Sequence, residues 1–138
     1  MKRYDIYENL NNYLESNWTK TDIAWEGLQY NVSGNQSYIK PFLRIGNSEQ
    51  LEIGGNNPNA LDIEDGFYLI QILTPVSQGI YQAQITGESL RSVFRRQSPI
   101  NGVTIGNTSL KDPYIDDDDE RFYLSILIIE IVNFICES

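Results

Sequence analysis

The last stretch of the chain restricts the fold more than any other. Residues 122–135 (FYLSILIIEIVNFI) are apolar on both sides of a period-two alternation. Phe122, Leu124, Ile126, Ile128, Glu130, Val132 and Phe134 share one side; Tyr123, Ser125, Leu127, Ile129, Ile131 and Asn133 share the other. A strand normally runs about 5–6 residues, so this one is unusually long. Apolar residues on both faces mean that both faces need cover. A chain of 138 residues can hardly supply so much cover itself, so a neighbouring subunit is expected to bury part of this strand. Ser125, Glu130 and Asn133 interrupt the run before the ~18 apolar residues of a membrane span, so no membrane role is expected.

Upstream, the periodicity changes several times. Ile6, Tyr7, Leu10, Tyr13 and Leu14 recur at spacings of three and four, which predicts an amphipathic helix over 4–17, with Trp18 folding back on its stripe. Ile23 and Trp25 read as a short extended segment. Gly34-Asn35 centres a turn, and residues 38–45 read as a strand that Pro41 confines to an edge or a bulge. Leu51 and Ile53 alternate briefly, and residues 54–59 (GGNNPN) read as a mobile loop. Residues 67–74 (FYLIQILT) predict a central, covered strand that Pro75 ends. A second helix is expected over 79–96, with Ile80, Ala83, Gly87, Leu90, Val93 and Phe94 inward and Ser77 as its cap. Short strands at 103–105 and 109–115 lead through an acidic loop into the last strand. The chain reads as one α+β domain over 1–138, with two helices packed on one antiparallel or mixed sheet.

Composition narrows the function. The net charge is −9, so neither the nucleic acid backbone nor an anionic membrane attracts the chain. Histidine is absent, which removes the commonest general base and zinc ligand. The single cysteine, Cys136, closes no internal disulfide and reads as packing. Residues 1–5 lack the apolar stretch of a signal peptide, so synthesis in the cytoplasm is expected. Nine tyrosines against five phenylalanines suit surfaces that become buried on assembly.

No active site emerges. Asp116, Asp117, Asp118 and Asp119 could attract a hard cation, but they lack the spacing and the glycine of an EF-hand, and a solvated turn of repelling charges is the plainer reading. Glu26, Glu49, Glu52, Asp62, Glu64 and Asp65 offer no ordered pair for acid–base work. The glycines at 54, 55, 102 and 106 do not fit a phosphate loop. Glu130 lies among apolar neighbours, where a charge needs a partner; Arg44, Arg91, Arg95 or Arg121 could supply it within the subunit or across an interface. Arg91, Arg95 and Arg96 read as a contact for an acidic partner surface or the acidic loop of another copy. Trp25 with Glu26 could serve as a recognition anchor, although a lone tryptophan beside a strand is more often core. No catalysis and no cofactor are expected.

The chain resembles the phage tail terminator-like family, which is related in fold to the lambda tail terminator. After the N-terminal helix, Ala24-Trp25-Glu26 and the following IAWEGLQYNVSGNQSYIKPFL look like that family's Trp-Glu segment, although Gly27 stands where asparagine is usual and Asn31 near an expected proline. Gly66, Pro75, Gly79 and Phe94 hold matching places in its strand–turn–helix core, and ERFYLSILIIEIVNF resembles its long last strand. The resemblance implies a virion protein assembled in the host cytoplasm: a homo-hexameric ring at the head-proximal end of the tail. It would stop polymerisation of the tail tube protein and join the tail to the head–neck connector; on that model the charge of −9 on each copy would let DNA pass through unbound. The family brings no catalytic residues. Residue chemistry then suggests Asp116–Asp119 as a loop facing the lumen or the connector. Arg91, Arg95, Arg96, Glu130, Tyr123, Gly54 and Gly55 are candidate subunit or tube contacts. A small acidic binding module, of immunity or adaptor type, that blocks a basic partner is the alternative.

Overall fold

The computed structural model describes the backbone of residues 3–50 and 62–135, and the side chains of residues 4–44 and 66–132. The elements run α1 (Arg3–Asn17), β1 (Asp22–Ile23), β2 (Tyr38–Gln50), β3 (Asp62–Pro75), α2 (Ile80–Phe94), β4 (Ile105–Leu110), β5 (Tyr114–Ile115) and β6 (Phe122–Ile135). They form an α+β fold with one six-stranded mixed sheet in the order β1-β2-β3-β6-β4, and β5 also pairs with β6. Among the described strands only the β1–β2 pair is parallel.

The helices form because their apolar stripes have one face of the sheet to bury. Ile6, Leu10 and Leu14 of α1 are fully buried, one turn apart, and Trp18 folds back on them. The Trp18 amide donates to the Leu14 carbonyl at 2.9 Å, and its indole N–H donates to Thr21 Oγ1 at 2.8 Å. From α2, Leu90 and Phe94 join the same core. The sheet contributes Ile39, Tyr68, Ile70, Ile72, Leu127, Ile129 and Ile131 to it. Tyr13 ties the helices together, its hydroxyl donating to the Val93 carbonyl at 2.6 Å.

Several expectations need correction. Ser77 does not cap α2: it lies in a 3-10 turn (Val76–Gln78), and Gly79, at φ 86°, holds the cap position without a side-chain hydrogen bond. A left-handed φ favours glycine there. Ile80 is not inward but 47% exposed, and Thr86 takes a buried place on the stripe. At Gly87 a Cβ would stand 3.1 Å from Leu110 Cδ2, so this glycine lets β4 lie close to the helix. The strand expected at 38–45 continues to Gln50, with a register shift between Ile45 and Ser48. The bulge sets two residues of β2 against one of β3, and pairing resumes beyond it. Pro41 does lie at an edge, because β1 pairs only with Tyr38 and Ile39. The segment expected at 109–115 is split between β4 and β5. Leu51, Ile53, the loop at 54–59 and Cys136 lie outside the described residues.

Candidate functional site

β6 organises the molecule. β3 pairs along one of its edges, and β4 and β5 share the other. Of its eleven described side chains, residues 122–132, six are buried within the chain and five are half-buried. Its odd-numbered side, Ser125, Leu127, Ile129 and Ile131, is sealed beneath the helices. Among the described residues its even-numbered side is sealed at one end. There Phe122 and Leu124 meet Tyr38, Leu73 and Ala24 in a second small core, against which Tyr30 packs. Tyr38 lies edge-on to Phe122, with centroids 5.4 Å apart, and Tyr30 tilts over Tyr38 at 4.9 Å. Burial, reinforced by a 3.0 Å hydrogen bond to the Asp22 carboxylate, pushes the Tyr30 phenol up to about 12.

Beyond that end, the second face of the sheet is open. Phe42, Leu69 and Ile128 form a row across β2, β3 and β6, each half-buried. In the next row Phe67, 42% exposed, stands between Arg44 and Glu130. The expectation that both faces of residues 67–74 are covered thus fails on this side, because both helices pack on the other. Charged side chains border the apolar rows. Arg44 reaches Glu26 at 3.3 Å and lies over the Phe42 ring at 5.1 Å. Arg44 does not neutralise Glu130, since Phe67 intervenes and two strand spacings amount to roughly 9.6 Å. Neither do Arg91, Arg95 or Arg121: among the described residues Glu130 has no ion-pair partner. The carboxylate instead lies over Gly106 of β4, where a Cβ would stand 3.3 Å from Glu130 Cδ.

The arginines come together as the sequence implied. Arg91, Arg95 and Arg96 line a cavity of about 330 Å³ at the C-terminal end of α2, with Ser98, Gly106 and Thr108. Arg91 donates to the Thr108 carbonyl at 3.3 Å and approaches Glu88 only to 4.0 Å. Its Nε is buried without a hydrogen-bond partner. Arg95 and Arg96 are exposed and, among the described residues, have no ion-pair partner.

The acidic run is ordered by its own side chains. Asp116 is buried, and its carboxylate accepts the Asp118 amide at 3.2 Å. The Asp116 amide donates to the Phe122 carbonyl at 2.9 Å, which closes the loop at its base. Asp119 forms a two-pronged pair with Arg121, at 2.9 Å to Nε and 2.7 Å to Nη2. Hydrogen bonding to that guanidinium holds the Asp119 carboxyl below its ordinary range. The Arg121 carbonyl accepts the Val76 amide at 2.8 Å, fixing the loop beside the entry to α2. Asp117, Asp118 and Glu120 remain exposed. Among the described residues no cluster of carboxylates could hold a metal ion. No described helix is long and apolar enough to cross a membrane.

Tyr123 is half-buried, opposite Thr74 of β3 and Ile115 of β5. Trp25 is partly buried against the main core. Gly54 and Gly55 lie outside the described residues. Sequence reasoning missed Ser98 and Thr108 as walls of the arginine cavity. The one available signal was Gly106, a glycine inside a strand pattern, which marks a bulge or a close approach.

No family model matches the chain, and no curated protein does. Solved structures match its fold. One of them, whose name conveys no activity, superposes with a TM-score of 0.60 at 12% identity, over 96% of this chain and 94% of the other. At that identity the likeness concerns the fold alone.

Proposed function

We propose that this chain is a structural virion subunit that closes the head-proximal end of a phage tail tube. It forms a homo-hexameric ring, stops polymerisation of the tube protein and joins the tail to the head–neck connector. The observation that carries this reading is the open half of the second sheet face. Phe42, Phe67, Leu69 and Ile128 present a contiguous apolar patch on a rigid sheet, bordered by Arg44 and Glu130. Such a patch marks a surface that another protein covers. Glu130 fits this role, since it has no ion-pair partner among the described residues and can meet a partner's cation. The resemblance of residues 24–94 to the tail terminator-like family directs the assembly to a tail.

On this reading the protein works by association alone, with no catalysis and no cofactor. A ring is built from head-to-tail contacts between two different surfaces of each copy. Each copy carries a charge of −9, so DNA passes through without adhering. The test is electron microscopy of tails assembled without this protein. Tubes of uncontrolled length are expected; tails of normal length would reject the proposal.

A further inference from the structure

We infer that the arginine cavity at the C-terminal end of α2 receives the acidic loop of a second copy of this chain, so that Asp117 and Asp118 of one copy meet Arg95 and Arg96 of the next. The two surfaces are complementary in charge. The cavity is concave, about 330 Å³, and holds three guanidinium groups, of which Arg95 and Arg96 have no ion-pair partner among the described residues. The loop exposes Asp117, Asp118 and Glu120, while Asp119 is already engaged by Arg121. Its backbone is set in advance by Asp116 and by the Asp119–Arg121 pair, so docking orders little that is not already ordered.

The contact cannot close within one chain. The loop is tied to Val76 just ahead of α2, and the cavity lies just past the other end of that helix. Fifteen helical residues separate them by about 22 Å. Along β6 the loop borders Phe122, whereas Ile105 in the cavity wall pairs with Ile131, nine residue steps or roughly 30 Å away. Exposed acid and exposed base thus occupy opposite ends of the domain, an arrangement that favours head-to-tail association. The groove beside α1 that carries Glu8, Glu15 and Glu26 is a weaker match for the arginines, because it too is concave. The loop then serves the contact between copies rather than the lumen or the connector.

This inference deepens the ring reading and rests on it for its symmetry, but its test reads self-association alone. Two charge-reversed proteins, Arg95→Glu/Arg96→Glu and Asp117→Lys/Asp118→Lys, are compared with wild type by sedimentation equilibrium at low and high salt. Circular dichroism checks that each is folded. Wild type is expected to self-associate at low salt and to weaken as salt screens the contact. Each variant alone should associate at least about ten-fold more weakly, since it sets like charges face to face. An equimolar mixture should recover the association, because the reversed loop of one variant fits the reversed cavity of the other. A wild type that stays monomeric, a variant that associates as wild type does, or a mixture no stronger than its components would overturn the contact. Normal tails formed without the protein would reject the tail reading while leaving a positive charge-swap result intact.

Discussion

The two faces of the sheet are cut from the same strands, yet they have opposite fates. On β3, Tyr68, Ile70 and Ile72 are fully buried, while Phe67, one residue away, is 42% exposed. On β6, Leu127, Ile129 and Ile131 are sealed, and the interleaved Ile126, Ile128 and Val132 are only half-buried. Apolar content hardly separates the two sets. Charge does: Lys40, Arg44 and Glu130 all belong to the open side. The helix-covered face is finished by the chain itself. The other carries an apolar row bordered by ions, the composition of a surface that meets water before it meets a partner.

Truncation probes this contrast most strongly. Leu127→Ala empties a sealed site and should cost about 2–5 kcal/mol, through lost burial and the cavity left behind. Ile128→Ala, its immediate neighbour on the open side, should cost about 1 kcal/mol or less in the free chain, because solvent already reaches the site. Urea unfolding at a concentration where the protein is monomeric measures both. Equal costs would mean that the open face is sealed within the free chain, and the main support for an assembly role would go with it.

A smaller effect is expected where the open face meets the edge. In Gly106→Ala the new Cβ would stand 2.7 Å from Val132 Cγ2 and 3.3 Å from Glu130 Cδ. Valine is stiff about χ1, so the crowding is relieved by shifting β4 or re-aiming Glu130. The expected cost is about 1–3 kcal/mol, readable as a lower midpoint in the same unfolding experiment. A neutral result would place Glu130 and Val132 further from the β4 backbone, and the open face would be looser than described.

How much of this was legible in the sequence follows from which interactions are local. The stripe Ile6, Leu10, Leu14 specifies α1, and strict alternation specifies β3 and β6, because period alone decides which residues share a face. The parallel pairing of β1 was not legible: a strand of two residues carries no periodic signal, and its partner is distant in sequence. Ser77 resembled a cap by residue type, but the 3-10 turn Val76–Gln78 takes it up and Gly79 stands at the cap position instead. The three arginines were visible as a cluster. Their concavity was not, because its opposite wall comes from Ser98, Gly106 and Thr108, which only β4 pairing brings back against α2. Alternation likewise showed that β6 has two apolar sides without showing which one the helices take.

The smallest effect concerns the closed end of the second face, where Tyr30 packs on Tyr38 and donates to Asp22. Burial favours the neutral phenol and the nearby carboxylate opposes a second negative charge, so both raise its pKa, to about 12 from an ordinary 10.0. Because the folded value lies above the unfolded one, the neutral ring's contribution is fully present below about pH 10 and is lost as pH rises through about 12. Tyr30→Phe keeps the ring contact and removes the hydrogen bond, so it should cost about 0.5–1.5 kcal/mol at neutral pH and flatten the alkaline loss of stability. An ultraviolet titration of phenolate, wild type minus Tyr30→Phe, isolates this one group. A difference curve centred near 12 would mean that the segment carrying Tyr30 closes this end of the face in solution. A midpoint near 10 would mean that the phenol is free in water, so that the open patch extends over Tyr38 and Phe122 and the partner must cover the whole face rather than half of it.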